Sequence, residues 1–140
     1  MKYDDWVAEV PEPLTADVLW TVKAYRLGLF ASDLGWRDVT KLQRDRRTVS
    51  LANQLYRALG GISATIAEGY SRSTGKERAR YYEFALGSAR EARDHYYKGR
   101  HILGKAVLEH RLKLLTRIIK LTLTMIPDQR QKNIKLTRSR

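Results

Sequence analysis

The fold is decided by residues 51–103, LANQLYRALGGISATIAEGYSRSTGKERARYYEFALGSAREARDHYYKGRHIL, which hold two long helical patterns separated by a short turn. In the first pattern, apolar residues recur at the three- and four-residue spacing of one buried helix face. They are Leu51, Leu55, Ala58, Ile62 and Ile66. The second pattern has a mostly small inner face: Tyr82, Ala85, Ala89, Ala92, Tyr96, Gly99 and Leu103. We predict one helix ending at Gly69 and another over about 76–103.

Two more helical patterns flank this region. Pro11 and Pro13 precede Thr15, which is a predicted N-cap for a helix over about 15–31, and Gly35 interrupts the stretch that follows it. The last pattern covers 107–126 and should end at Pro127, because proline cannot continue a helix without losing a hydrogen bond. No stretch shows the apolar alternation of a strand. Since short loops favour antiparallel neighbours, the sequence predicts an all-α, up-and-down four-helix bundle over residues 15–126.

Glycines inside these patterns predict close contacts between helices. Gly60 and Gly61 lie within the second helix, where each costs about 1 kcal/mol relative to alanine. Gly87 and Ser88 lie among the alanines of the third helix and predict a tight helix crossing. Gly69 is interpreted as the residue just past the end of the second helix.

The charge of the chain is concentrated on the predicted bundle. The 140 residues include 27 Lys and Arg against 15 Asp and Glu, for a net charge of +12, and 43% of them are hydrophobic, too many for a disordered polybasic chain. An acidic segment at 1–14 precedes the bundle, and a basic tail at 127–140, predicted to be disordered, follows it. Because basic residues predominate between the two ends, we expect a polyanionic partner.

Several protein classes are excluded by composition. The chain has no cysteine, which removes disulfides, thiolate catalysis and cysteine-ligated metals. Its first residues are acidic and lack the features of a secretory signal. The longest apolar region, residues 112–126, is interrupted by charges and too short to span a bilayer. We predict a soluble cytoplasmic protein with no metal and no cofactor.

Three groups of basic residues are candidates for nucleic-acid binding. Guanidinium groups bind phosphates bidentately, and a tyrosine ring can stack on a base. The groups are a helix-three strip, Arg90, Arg93, Tyr97 and Arg100; a connector cluster, Lys41, Arg44, Arg46 and Arg47; and a helix-four face, Lys113, Arg117 and Lys120. The tail adds Arg130, Lys132, Lys135, Arg138 and Arg140 as an electrostatic arm. The alternative for each group is a solvated surface without a partner.

Two sequence words resemble a known family. IAEGYSR at residues 66–72, followed by YYEFALGS at residues 81–88, is similar to the four-helix bundle proteins encoded in intervening sequences of bacterial 23S ribosomal RNA genes. That family also includes the accessory variability determinants of diversity-generating retroelements. The resemblance implies a homopentameric ring, which in retroelements binds the reverse transcriptase and its template RNA. It also places Glu68 in a family word, where we expect it to pair with a base from another helix or subunit.

Three functions follow as hypotheses. The first is a non-enzymatic RNA- and protein-binding accessory factor that assists a reverse transcriptase of a diversity-generating retroelement. The second is an intervening-sequence bundle protein with a structural or RNA-associated role. The third is a helical ribonuclease, because Arg90 and His95 fit an Arg-x4-His pattern in which arginine holds phosphate and histidine moves a proton. Trp20 and Trp36 are expected to brace the bundle, and Trp6 to dock on a partner or cover an apolar patch.

Overall fold

A computed structural model describes the chain from residue 1 to residue 138, with side chains described to residue 132. Within this part of the chain the structure is all-α and contains no strand. The helices are α1 (Tyr3–Glu9), α2 (Glu12–Thr15), α3 (Lys23–Gln43), α4 (Val49–Tyr70), α5 (Gly75–Lys98), α6 (Arg100–Leu103) and α7 (Lys105–Arg138), with short 3-10 turns at Val18–Thr21 and Arg46–Thr48.

The four long helices share one core. Helix α5 packs against α4 and α7, and α3 packs against the same two helices. Neighbours run antiparallel: Gly61 and Gly69 of α4 approach Ser88 and Tyr81 of α5 respectively, so residue numbers rise along one helix as they fall along the other. The inner face predicted for the third helix is buried from Tyr82 at 2% exposure to Leu103 at 6%, but the helix predicted over 76–103 is not continuous. It is divided at Gly99 into α5 and α6, and Leu103 lies on α6.

The first predicted helix is misplaced. Residues 15–31 do not form one helix: α2 ends at Thr15, a 3-10 turn follows, and α3 begins at Lys23 and continues to Gln43. Thr15 is therefore not an N-cap, and Gly35 does not interrupt the chain. A Cβ at position 35 would overlap with Leu59 Cδ1, so the glycine marks a close contact between α3 and α4 inside a continuous helix.

The other glycines divide by environment. A Cβ at Gly61 would lie 2.9 Å from Ser88 Oγ, which confirms the predicted close contact at both residues. A Cβ at Gly60 or Gly87 would meet nothing within 4 Å, and Gly87 is exposed, so the expected tight crossing at these two positions is wrong. Gly69 lies within the last turn of α4, which ends at Tyr70, and its φ is not positive. Its lack of a side chain instead admits Tyr81 and Tyr82 of α5.

Helix α7 continues through Pro127 to Arg138, so the predicted helix end is wrong. Contacts on both sides of the proline hold this part of the helix against the core: Ile126 is buried, and Arg130 makes an ion pair of 2.6 Å with Glu83 of α5. Residues 127–138 are thus helical, which corrects the expectation of a disordered tail for that range. Residues 139 and 140, and the side chains of Lys135 and Arg138, lie outside the described part.

The acidic N-terminal segment is packed onto α3. Trp6 is 6% exposed, its ring lies 5.3 Å from that of Phe30 and 6.1 Å from that of Trp20, and its indole N–H donates to Asp33 at 2.7 Å. Trp6 therefore covers an apolar patch of its own chain, which confirms one of the two expectations for it.

None of the helices in the described part of the chain has an apolar stretch of the length needed to span a bilayer.

Candidate nucleic-acid interface

Two of the predicted basic groups lie side by side. Arg93 of α5 donates a hydrogen bond of 3.1 Å to the hydroxyl of Thr116 on α7. Thr116 in turn lines a shallow depression of about 370 Å³ together with Leu112, Lys113, Arg117 and Lys120. The helix-three strip and the helix-four face thus meet at the Arg93–Thr116 contact, and we call the two together the α5–α7 surface: Arg90, Arg93, Tyr97, Arg100, Lys113, Arg117 and Lys120.

The break after α5 shapes one end of this surface. Gly99 separates α5 from α6, and Arg100 at the start of α6 folds back over the preceding turn. Its guanidinium lies 4.1 Å from the centre of the Tyr97 ring and donates to the Tyr97 carbonyl at 3.0 Å. Tyr97 is 53% exposed. Arg100 and the Tyr97 ring are therefore stacked on each other at the surface.

The cations of the α5–α7 surface, which are six Lys and Arg residues, lack carboxylate partners in the part of the chain whose side chains are described. Of the nearby acids, Asp94 pairs with Lys98 at 2.7 Å, and Glu91 lies 3.3 Å from Nε2 of His95. Among the described side chains, no direct ion pair therefore neutralises the cations of this area.

The connector cluster forms a separate site at the α3–α4 turn. Lys41 lies in the last turn of α3, Arg44 and Arg46 are exposed, and Arg47 is held by Asp45 through two hydrogen bonds of 3.0 and 2.7 Å. Those bonds and the Arg47 backbone N–H lower the pKa of Asp45 to about 2. Asp45 neutralises one of the four cations of the connector cluster. We therefore expect this cluster to bind phosphates less strongly than the α5–α7 surface.

A buried polar network joins α3, α5 and α7, and no local sequence pattern indicates it. Asp38 of α3, 2% exposed, accepts hydrogen bonds from Tyr96 of α5 at 2.5 Å and from Arg111 of α7 at 2.7 and 3.2 Å. Burial, and then the Asp38 charge, raise the pKa of Tyr96 far above its usual range. Burial lowers the pKa of Arg111, but its bonds to Asp38 reverse the sign and raise it. The network thus keeps a carboxylate and a guanidinium paired inside the core.

The remaining polar candidates do not form a second site. Arg90 is exposed whereas His95 is 6% exposed, with Nε2 3.3 Å from Glu91, so the structure does not bring the Arg-x4-His pair to one open site. Burial, followed by the charges of Arg111 and the chain's amino terminus, lowers the pKa of His110. Glu68 is exposed and makes no ion pair with another described residue. No cluster of His, Asp or Glu able to hold a metal ion occurs in the described part.

Two Trp residues differ in their environments. Trp20 is half-buried and stacks on Trp6, in agreement with a bracing role. Trp36 is 65% exposed on α3, so the prediction that it braces the core is wrong. With α3 ending at Gln43, position 36 falls outside the buried stripe of Leu27, Ala31, Leu34, Asp38 and Leu42. A correct helix end would have revealed its outward position.

These features define a class: a small all-α protein with an unneutralised cationic surface along two antiparallel helices. A family model described as 23S rRNA-intervening sequence protein matches residues 31–129. The chain belongs to this family, which confirms the resemblance of its two sequence words. The match leaves out α1, α2 and the first part of α3. No curated protein and no solved structure matches the chain significantly.

Proposed function

We propose that the protein is a non-enzymatic RNA-binding protein that holds the RNA backbone on the α5–α7 surface. One observation carries this proposal: the Arg93–Thr116 contact joins two basic helix faces into one area whose cations lack carboxylate partners among the described residues. The family match supports an RNA-associated or structural role, which was the second hypothesis from the sequence. Binding would follow from neutralised phosphates and released counterions, with little base specificity.

The first test of this proposal changes Arg90, Lys113 and Lys120 together to Gln. Each residue is exposed, so the fold should be retained. Losing three phosphate contacts should make the slope of log affinity against log salt less negative by about two to three, and should weaken binding by about a hundredfold near 0.15 M salt. Fluorescence anisotropy with a labelled RNA hairpin, titrated at several salt concentrations, measures both quantities.

A matched control removes the same net charge elsewhere. Lys23, Lys76 and Arg80 are also exposed and lie outside the α5–α7 surface. Changed together to Gln, they should weaken RNA binding by less than about threefold, because only long-range electrostatics is altered. Equal losses in the two triple variants would mean that net charge alone drives binding. Unchanged binding in the first would contradict the proposal.

The finer architecture and the partner are part of the same proposal. We infer an up-and-down four-helix bundle of α3, α4, α5 and α7, supported by the antiparallel contacts of neighbouring helices. The reverse-transcriptase accessory role stays a prediction, since the family match favours the other hypothesis. The absence of enzymatic activity and the cytoplasmic location also stay predictions.

The homopentamer is expected from the family resemblance alone. Light scattering coupled to size exclusion should then give five times the 16.2 kDa mass of one chain. A ring would repeat the α5–α7 surface five times and so raise RNA affinity through multivalency. A monomer mass at micromolar concentration would contradict the ring and leave the RNA-binding proposal for a single chain to be tested as above.

A further inference from the structure

A second cavity lies between α3 and α4, on the helix pair that does not form the α5–α7 surface. Its volume is about 390 Å³, and its lining residues are Trp36, Val39, Thr40, Gln43, Ala52, Asn53, Tyr56 and Arg57. Val39 and Ala52 are buried at 6% and 0% exposure and form an apolar floor. The cavity therefore has an apolar floor and a polar rim, which is the usual composition of a small-ligand site.

Two aromatic rings stand exposed at this cavity. Trp36 is 65% exposed and Tyr56 is 39% exposed, and their ring centres are 5.9 Å apart at an interplanar angle of 67°. Trp36 also lines a larger cavity beneath the N-terminal segment. A large indole kept in solvent gives up the gain from burial, and a flat partner stacked on it would recover that gain.

The rim has the functional groups that recognise a nucleotide. Gln43 and Asn53 contribute one carboxamide each, with both a donor and an acceptor, which matches the hydrogen-bonding edges of a base. Among the described residues that line the cavity, Arg57 and Tyr56 are ionisable and none is a carboxylate. Arg44, exposed in the connector cluster, follows Gln43 directly in the chain. Neither arginine makes an ion pair with another described residue, so both can contact a phosphate.

We propose that the α3–α4 cavity binds an unpaired nucleotide of single-stranded RNA. The base stacks on Trp36 beside Tyr56, the amides of Gln43 and Asn53 contact its edge, and Arg57 and Arg44 hold the adjoining phosphates. Proteins bind single strands by stacking unpaired bases on aromatic side chains and holding the phosphates with basic residues. This site extends the proposed function: it would bind single strands through an unpaired base, whereas the α5–α7 surface would bind the RNA backbone.

The test compares Trp36→Ala with Phe84→Ala in the full chain. Phe84 is a matched control: it is 47% exposed on α5 and does not line the cavity. With a labelled oligonucleotide of eight uridines or eight adenines, Trp36→Ala should weaken binding by about tenfold and Phe84→Ala by less than about twofold. The same oligonucleotides should quench the tryptophan emission of the unchanged protein, and the quenching should be lost in Trp36→Phe.

The amides and the two surfaces are separated by further variants. Gln43→Met with Asn53→Leu should reduce the affinity difference between the uridine and adenine oligonucleotides, because the groups that contact the base edge are gone. The Arg90, Lys113 and Lys120 variant should retain tryptophan quenching, so failure of the α5–α7 proposal and failure of this one give different results. Unchanged affinity in Trp36→Ala would overturn the cavity proposal. So would a Trp36→Ala variant that alters the mass measured by light scattering but not RNA affinity, since the cavity would then be an interface between copies.

Discussion

Replacing Arg111 by leucine should destabilise the protein by about 3–5 kcal/mol. The side chain of Asp38 is 3% exposed, and Arg111 is its only cationic partner within the described residues. Without the guanidinium, the carboxylate would keep only the hydrogen bond from Tyr96. Removal of one member of a buried ion pair is costly, because a charge is left in the core without compensation. Urea denaturation followed by circular dichroism measures the change in the free energy of unfolding.

Two comparisons show whether the lost pairing is the cause. Arg117→Leu on the same helix removes an exposed arginine and should change the free energy of unfolding by no more than about 0.5 kcal/mol. A triple variant, Asp38→Leu with Tyr96→Phe and Arg111→Met, should recover part of the loss, since an apolar replacement of a whole buried pair is often neutral or better. A loss below about 1 kcal/mol in Arg111→Leu would contradict the buried network.

Gly69→Ala is the second large expected loss, of about 1–3 kcal/mol. A Cβ at this position would lie 2.7 Å from the Cβ of Tyr81 and 3.0 Å from the Tyr82 ring. The Tyr81 Cβ is fixed to the backbone of α5, so the contact cannot be relieved by rotating a side chain. Helices α4 and α5 would have to separate, and that strain exceeds the gain in helix propensity from replacing glycine.

Gly87→Ala is the matched control and should have the opposite sign. Gly87 lies on α5 in the second family word, is exposed, and would accept a Cβ with nothing within 4 Å. Helix propensity then decides, and the variant should be about 0.5–1 kcal/mol more stable. Thermal unfolding of the two alanine variants tests the contact. If Gly69→Ala raised the stability as Gly87→Ala should, α4 and α5 would not approach closely at Gly69.

The helical fold could be predicted wherever periodicity was uninterrupted. The stripe from Leu55 to Ile66 is buried as its spacing indicated, and the small face of α5 likewise. The predicted bounds of helix α3 are wrong because Pro11, Pro13 and Gly35 are residue types that usually mark turns and helix ends. In the structure, the lack of a side chain at Gly35 makes room for Leu59 of α4. Leu59 is 24 positions away in sequence, so local patterns cannot reveal this contact.

The candidate site could be predicted only in parts. Spacing along single helices identified the two basic groups, but their adjacency depends on how α5 pairs with α7, which the Arg93–Thr116 contact specifies. Asp38 and Arg111 are separated by 73 positions, so their pairing has no sequence signature. The aromatic pair Trp36 and Tyr56 was missed for the same reason, since its exposure follows from the register of α3 against α4.

The alanine-lined inner face of α5 has a consequence for how this family can diverge. Ala79, Ala85, Ala89 and Ala92 have no exposed surface and little volume, so any larger residue there would be excluded by the neighbouring helices. The outward positions of the same helix carry no such restriction. Recognition and framework are thus separable on one element. Mutation can change the charges that face solvent, and with them the choice of partner, without disturbing the buried half of the helix.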